Sequence, residues 1–319
     1  MKSVLITGAN GFVGRHLLER ALSEGYKVYA GVRKRSNISS IKHLDVTILR
    51  LDYQHYSNLK NTLSEYGPFD YVIHNAGVTE AIDIDAYRKG NVEVTGNLIK
   101  ALQGGLISSN FVYVSSLAAR GPNYQGKDDP ISDYGVSKSE AEAVVKTSGI
   151  DYVIVRPTAV YGSGDAAFFE LVKLVKWGIS LSMGSRDQKL TFIHGFDLAN
   201  LIFLSAPFTG KTFYGHDGHV RSQKDLLNAI KNGLGKKRAL GIHIPAGLVR
   251  NISLYVNTFY NQFLGKSWHY NPPKIRELLA TDWTIHETKD QSLLEFVPKY
   301  TLESGFQEAI DYYREKFWL

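Results

Sequence analysis

Residues 3–14 read Ser3-Val4-Leu5-Ile6-Thr7-Gly8-Ala9-Asn10-Gly11-Phe12-Val13-Gly14. The first five are mostly apolar or β-branched, which suits a short strand buried in a parallel sheet. From Phe12 to Ser23 apolar residues recur at helical spacing, at Val13, Leu17, Leu18, Ala21 and Leu22, and Gly25 follows as a helix stop. Three glycines at spacing three stand between strand and helix. Gly8 permits a tight turn, Gly11 lets backbone N–H groups approach a pyrophosphate, and Gly14 lets the helix lie against the strand. The first helical turn then offers free N–H groups and the positive end of its dipole to an anion. With 29 Gly in the chain a lone triplet carries little weight. Inside a strand–turn–helix unit, this one predicts a dinucleotide site.

The alternation continues outward. Strands are expected over 27–32, 46–51, 70–74, 110–115 and 151–156, the last ended by Pro157. Helices are expected over 58–66, 86–103 and 132–147. Repeated strand–helix units enforce parallel pairing with helices on both faces, a doubly wound α/β sheet. Past Pro157 the rhythm changes. Helices are expected over 168–177, 197–204, 222–234, 246–263 and 273–279, and a strand over 189–193. The expected organisation is a dinucleotide-binding domain over 1–160, with part of 188–214 returning to it, and a smaller, mostly helical substrate-binding domain over 161–319. No flexible linker separates the two, so a site in the crevice between them is the geometric expectation.

Composition narrows the function classes. Hydrophobic residues make up 44% and charged residues 21% of the 319, which excludes wholesale disorder. No stretch approaches the ~20 apolar residues of a membrane span. The best candidate, 239–264, is broken by His243, Pro245 and Arg250. The start, Met1-Lys2-Ser3, carries no cleavage-site pattern, so a cytoplasmic chain without a signal peptide is expected. No Cys is present, which excludes disulfides, thiolate metal sites and a Cys nucleophile. The net charge of +6 is scattered, unlike the stripe of a nucleic-acid binder. Its densest runs, Arg33-Lys34-Arg35 and Lys236-Lys237-Arg238, read as solvated loops, with a sharper reading open for the first. His216 and His219 lie close in a Gly-rich turn without further ligands at useful spacing, so no metal site is expected.

The spacing G-x-x-G-x-x-G preceded by Thr7, near the start of the chain, resembles the short-chain dehydrogenase/reductase superfamily, and most closely its extended, epimerase/dehydratase branch. That resemblance implies a Rossmann fold and a nicotinamide cofactor held by Thr7, Gly8, Asn10, Gly11, Phe12, Val13 and Gly14. NAD sites usually carry an acid at the end of the second strand. Here Lys27–Arg35 contains none, and Arg33 stands where a guanidinium can fork onto a 2′-phosphate. NADP(H) is therefore favoured, with NAD(H) open. Asp52-Tyr53 resembles the family's adenine-contacting pair, and Asn75-Ala76-Gly77 its segment on the adenosine side.

The superfamily works with a Ser or Thr, a Tyr, and a Lys four residues after the Tyr. Y-x-x-x-K occurs four times, at Tyr56/Lys60, Tyr134/Lys138, Tyr270/Lys274 and Tyr312/Lys316. Only Tyr134/Lys138 opens the helix after the fifth strand, and that strand ends in Ser115-Ser116. Residues four apart on a helix share a face. An ammonium there would lower the phenol pKa from ~10. The resemblance then makes Tyr134 the proton-transfer group, Ser116 the hydroxyl that binds the same substrate oxygen, and Lys138 the holder of the nicotinamide ribose. Ser115 remains an alternative to Ser116 and a cofactor contact. Asn91 resembles the Asn that supports the Lys through water. Pro157, Thr158 and Val160 fall in a segment resembling the family's R-P-x-x-V-Y-G, which passes the nicotinamide. A homodimer through helices 86–103 and 132–147 is the family expectation.

Departures select among reactions. Dehydratases carry Asp-Glu directly after the catalytic Ser or Thr; here Leu117-Ala118 follows. Sugar-nucleotide epimerases tend to carry a late Arg cluster; 268–289 has only Arg276. Residues 270–278 with Asp282-Trp283 look like hydroxysteroid-dehydrogenase-like reductases. A carbonyl/alcohol oxidoreductase acting on a small molecule leads. The alternatives are a nucleotide-sugar epimerase with retained NAD and a cofactor-sensing protein without chemistry.

Overall fold

The computed structural model describes residues 1–264, 272–285 and 290–319, the backbone alone over 257–264. Tyr270 and Asn271 of the hydroxysteroid-like segment therefore lie outside the described residues.

Seven parallel strands form the main sheet. They are β1 (Ser3–Thr7), β2 (Lys27–Arg33), β3 (Thr47–Leu51), β4 (Phe69–His74), β5 (Ile107–Val114), β6 (Tyr152–Pro157) and β10 (Lys211–Gly215). Their order is β3-β2-β1-β4-β5-β6-β10. The chain winds outward from β1 in one direction and from β4 in the other, so the ends of β1 and β4 flank the switch point where ligands of such sheets bind.

Side-chain alternation builds two cores. Val4 and Ile6 of β1 join Leu17, Leu18 and Ala21 of α1 (Phe12–Ser23) and Leu198, Leu201 and Ile202 of α7 (Gly195–Ser205) on one face. Leu5 joins the other face, with Leu59 and Leu63 of α2 (Tyr56–Tyr66), Leu98 and Leu102 of α4 (Val94–Leu102) and Ala141 and Val145 of α5 (Asp133–Lys146). The nearly unbroken apolar runs of the strands follow from burial on both faces.

The expected single helix over 86–103 is interrupted. It runs as α3 (Ile84–Arg88), a π-helical turn (Lys89–Glu93) and α4. Gly90 sits so close to Val78 that an added Cβ would meet its Cγ2 at 2.4 Å. The extra residue of the π turn accompanies the inward placement of Asn91, which is buried.

The second half contains α6 (Ala167–Lys176), α8 (Gln223–Gly233), α9 (Ala246–Leu264), α10 (Pro272–Leu279) and α11 (Leu302–Glu315). Two small parallel pairs accompany them: β7 (Ala159–Tyr161) with β9 (Phe192–His194), and β8 (Ile179–Met183) with β11 (Leu240–Ile244). The strand expected over 189–193 begins at Phe192, because Lys189 and Leu190 form only isolated bridges to Asp282 and Arg221. Pro157 closes β6 as its last residue rather than lying beyond it. β10 is short and follows a glycine turn, so its pattern escapes a reading of local periodicity. The segment holding Tyr312 and Lys316 contains the helix α11. Leu302, Phe306, Ala309, Ile310 and Tyr313 form its buried stripe, and Thr301 with Ser304 caps it.

Candidate active site

The first turn has the geometry its glycines predict. Gly8 has φ +65°, and an added Cβ would lie 2.9 Å from the Ala76 backbone. At Gly14 a Cβ would lie 2.2 Å from the Gly8 carbonyl oxygen. Gly11 is the N-cap of α1, and neither a side-chain cap nor a first-turn acid competes for the free N–H groups of Phe12 and Val13. Asn10 donates to the Asn37 carbonyl at 3.1 Å, tying this turn to the loop after β2. The Arg50 guanidinium donates to the carbonyls of Lys34 and Ser36 at 3.0 and 2.9 Å and fixes that loop. The exposed Arg33 guanidinium makes no hydrogen bond or ion pair among the described residues. Uncapped helix donors at the switch point fit a dinucleotide diphosphate.

A buried polar chain links this turn to the other side of the switch point. Thr7 pairs with His74 across β1 and β4. The Thr7 hydroxyl meets His74 Nδ1 at 2.7 Å, and His74 Nε2 meets Thr95 Oγ1 at 3.0 Å. The Thr95 hydroxyl gives its proton to the Asn91 carbonyl at 2.6 Å, so His74 must carry its proton on Nε2 and accept from Thr7. Burial, with Lys138 next in importance, holds the His74 pKa down to about 3, so the ring is neutral. Asn91 Oδ1 accepts from Val78 N–H at 2.8 Å, and its amide donates to the Val78 carbonyl at 3.1 Å and to Ser137 Oγ at 2.9 Å. This side chain is fully occupied in shaping the Gly77–Val78 backbone. A Cβ at Gly77 would lie 2.8 Å from Asn91 Oδ1 and 3.9 Å from Lys138 Nζ, so Asn91 supports the backbone that Lys138 approaches.

Ser116, Tyr134 and Lys138 converge at the ends of β5 and α5. Ser116 caps a short 3₁₀ turn (Leu117–Ala119), its oxygen accepting from Ala118 N–H at 3.1 Å, which leaves its own proton to donate. Ser115 is not equivalent. Its hydroxyl is buried and donates to Glu142 at 2.6 Å. Lys138 Nζ donates to the Val114 carbonyl at 2.7 Å and lies 4.5 Å from the Tyr113 ring centroid. Burial lowers its pKa to about 7, against the opposing pull of Glu142. Burial likewise pushes the Tyr134 phenol up to about 12; Ser116 hydrogen bonding works against the rise, and Glu277 and Tyr87 add to it. Lys138 does not pull the phenol down here, contrary to the reading from spacing alone. Its ammonium is turned to a carbonyl and an aromatic face, and desolvation outweighs the rest. Tyr134 is a protonated donor at neutral pH.

The remaining expected positions divide. The Tyr53 ring is buried in the core beneath β3. Asp52 accepts from His55 Nδ1 at 2.9 Å and Asn58 at 3.2 Å, and so holds the start of α2. Asn75 reaches the Gly8 carbonyl at 3.4 Å, and Ala76 N–H donates to Thr7 at 3.1 Å. Pro157 and Thr158 are buried; the Thr158 hydroxyl donates to the Gly215 carbonyl at 2.9 Å, leaving Val160 half-buried beyond them.

Two charged residues outside the expected site set, Arg156 of the R-P-x-x-V-Y-G segment and Arg120, also shape the site. Arg156 forms a bidentate pair with Glu142, at 2.8 and 2.7 Å, and with Asp128, at 3.1 and 2.6 Å. It thereby ties the loop between Ser116 and Tyr134 to the core. Arg120 of that loop donates to the Thr284 carbonyl at 2.8 Å. Their signal was a charge inside an apolar strand and a charge beside a Gly-Pro turn, neither of which names a partner. Among the described residues no group of three or more His, Asp or Glu could hold a metal ion.

A switch-point crevice with an uncapped helix on one side and a Ser-Tyr-Lys set on the other defines a nicotinamide-dinucleotide enzyme. The sequence matches the NAD dependent epimerase/dehydratase family over residues 4–212, and the chain belongs to that family, within the extended short-chain dehydrogenases/reductases. It is 29% identical to the ceramide reductase of Caulobacter vibrioides over 99% of this chain and 96% of that one. It is also 29% identical to the UDP-glucose 4-epimerase of Vibrio cholerae, over 97% and 94%. The crystal structure of gox2253 superposes with TM-score 0.80 at 20% identity, over 99% of both chains. The protein is an NAD(P)-dependent oxidoreductase of this family.

Proposed function

We propose that the chain is an NADP(H)-preferring reductase of an apolar aldehyde or ketone, with residues 161–319 supplying the substrate side. The carrying observation is the meeting of Tyr134 with the hydroxyl of Ser116 at the start of α5, beside a Lys138 whose Nζ is anchored on the Val114 carbonyl at 2.7 Å. A bound nicotinamide would supply hydride to the carbonyl carbon. Tyr134 gives its proton to the carbonyl oxygen, and Ser116 hydrogen-bonds that oxygen as charge develops on it. Lys138 holds the ribose, and Asn91 keeps the Gly77–Val78 backbone where Lys138 and the dinucleotide meet it. Arg33, without a counter-ion among the described residues, is the group for a 2′-phosphate. Leu117 and Ala118 stand where a dehydratase carries its acid pair, which supports plain carbonyl reduction.

Purified protein is assayed for copurified dinucleotide, then for NADPH oxidation against a panel of aldehydes and ketones. Net oxidation with an apolar member supports the reading. Tightly held oxidised cofactor with no net turnover, and interconversion of a nucleotide sugar, replaces it with an epimerase. The homodimer is inferred from family resemblance alone; exposed large apolar side chains of the described residues include none on α3, α4 or α5. Its test is the mass in solution.

A further inference from the structure

One segment departs from the charge balance of the rest. No Asp or Glu stands between Asp225 and Glu277, and eight Lys and Arg do, so this stretch carries more positive charge than the whole chain's net +6. Within it lies β11, a strand at the edge of a two-stranded sheet, followed through Pro245 by α9. Leu240 N–H donates to the Gly178 carbonyl at 2.7 Å, which sets Leu240 beside Trp177 at one end of the pair. Both are largely exposed, Trp177 at 72% and Leu240 at 68%. On α9, Val249 and Ser253 turn inward, while Leu248, Ile252 and Tyr255, spaced four and three apart, face out. Lys176 next to Trp177, Lys237 and Arg238 just before Leu240, and Arg250 on α9 are exposed and make no ion pair among the described residues. The nearest acids on elements packed against β8 are engaged: Glu170 of α6 pairs with Lys173 at 2.7 Å, and Asp225 of α8 closes a cap with Ser222. Among the described residues no helix is long and apolar enough to cross a membrane.

We propose that the surface formed by Trp177, β11 and the outer face of α9 docks on an anionic lipid bilayer. Exposed apolar and aromatic side chains ringed by unpaired cations are what an interfacial segment needs: the first enter the headgroup boundary and the second meet lipid phosphates. A second copy is disfavoured as occupant, because two such faces carry the same charge. The inference does not depend on the substrate.

The full chain is sedimented with vesicles of phosphatidylcholine alone and with 30% phosphatidylglycerol, in low and high salt. Binding at least tenfold stronger to the anionic vesicles, weakened by salt, is expected. K237E/R238E and Trp177→Ser should each lower it at least tenfold while leaving the thermal unfolding midpoint and dinucleotide binding unchanged. Should a variant not fold, brominated anionic lipid is added to wild type and to the milder Trp177→Phe. Quenching of wild-type fluorescence that Trp177→Phe removes supports the proposal, and equal quenching of both overturns it. Equal binding to the two vesicle types, or no binding to either, also overturns it. So does tighter binding of a duplex oligonucleotide than of vesicles, or a concentration-dependent dimer that K237E/R238E abolishes.

Discussion

Glu277 of α10 accepts the hydroxyl proton of Ser132, the residue that caps α5, while the same Ser132 oxygen accepts the Gly135 N–H at 3.0 Å. The other Glu277 oxygen holds Lys274 at 3.0 Å. One carboxylate thus fastens an element of the second half to the N-terminus of the catalytic helix, two residues before Tyr134. It is also one of the charges that keep the phenol protonated.

Removing that charge should therefore be visible in the pH profile. In Glu277→Gln the phenol pKa falls, because a like charge that disfavoured phenolate is gone. A reduction that needs protonated Tyr134 declines as pH rises through this pKa, so the alkaline limb of kcat/KM should move to lower pH. A limb at the wild-type position would mean that Glu277 serves only as a tie between the two halves.

Tyr134→Phe keeps the ring and its packing against Tyr87, whose centroid lies 6.0 Å away, and deletes only the proton donor. The expected loss in kcat is ~10²–10⁴-fold, with dinucleotide affinity nearly unchanged. Turnover close to wild type on a verified substrate would remove Tyr134 from the chemistry.

Arg33→Ala should separate the cofactors. An exposed guanidinium that meets a 2′-phosphate contributes a charged hydrogen bond, so the Kd for NADPH should rise ~10-fold or more while that for NADH stays put. Equal changes in both would return Arg33 to the status of a surface charge.

His74→Phe should make the structure less sensitive to acid. The native His74 pKa is depressed to about 3 by burial, against an ordinary value of 6.5. The unfolded chain therefore takes up a proton that the folded chain refuses, and the contribution present above pH 6.5 is lost as pH falls toward 3. Phe cannot titrate, so this part of the acid decline disappears. It also leaves the Thr7 hydroxyl proton without its acceptor, at a cost of about 1–3 kcal/mol at pH 7. Chemical denaturation at pH 7 and pH 4 measures both effects. A pH slope identical to wild type would show that His74 does not carry the effect.

Most of the sheet was readable because each strand and helix announces itself locally. Ser3–Thr7 is an apolar run, Phe12–Ser23 a 3.6-residue stripe, and both elements have the bounds the sequence predicts. The helix α11 was not among the expected elements, although its apolar stripe and its cap are local signals. The π turn was not readable, and its Gly90 lies against Val78 of the loop after β4, a contact no local pattern announces. β10 was not, because a five-residue strand at the sheet edge is defined by its pairing with β6 rather than by its own pattern.

By itself the sequence determined the doubly wound sheet, the glycine turn and the Tyr134–Lys138 spacing, because periodicity and glycine placement act over a few residues. Only the tertiary structure decided which serine is free, where the Lys138 ammonium points and how acidic Tyr134 is. Those depend on desolvation and on partners far along the chain: Glu142 for Ser115, Val114 for Lys138, Glu277 for Tyr134. A side chain's chemistry is set by what surrounds it, and the order of residues does not state who the neighbours are.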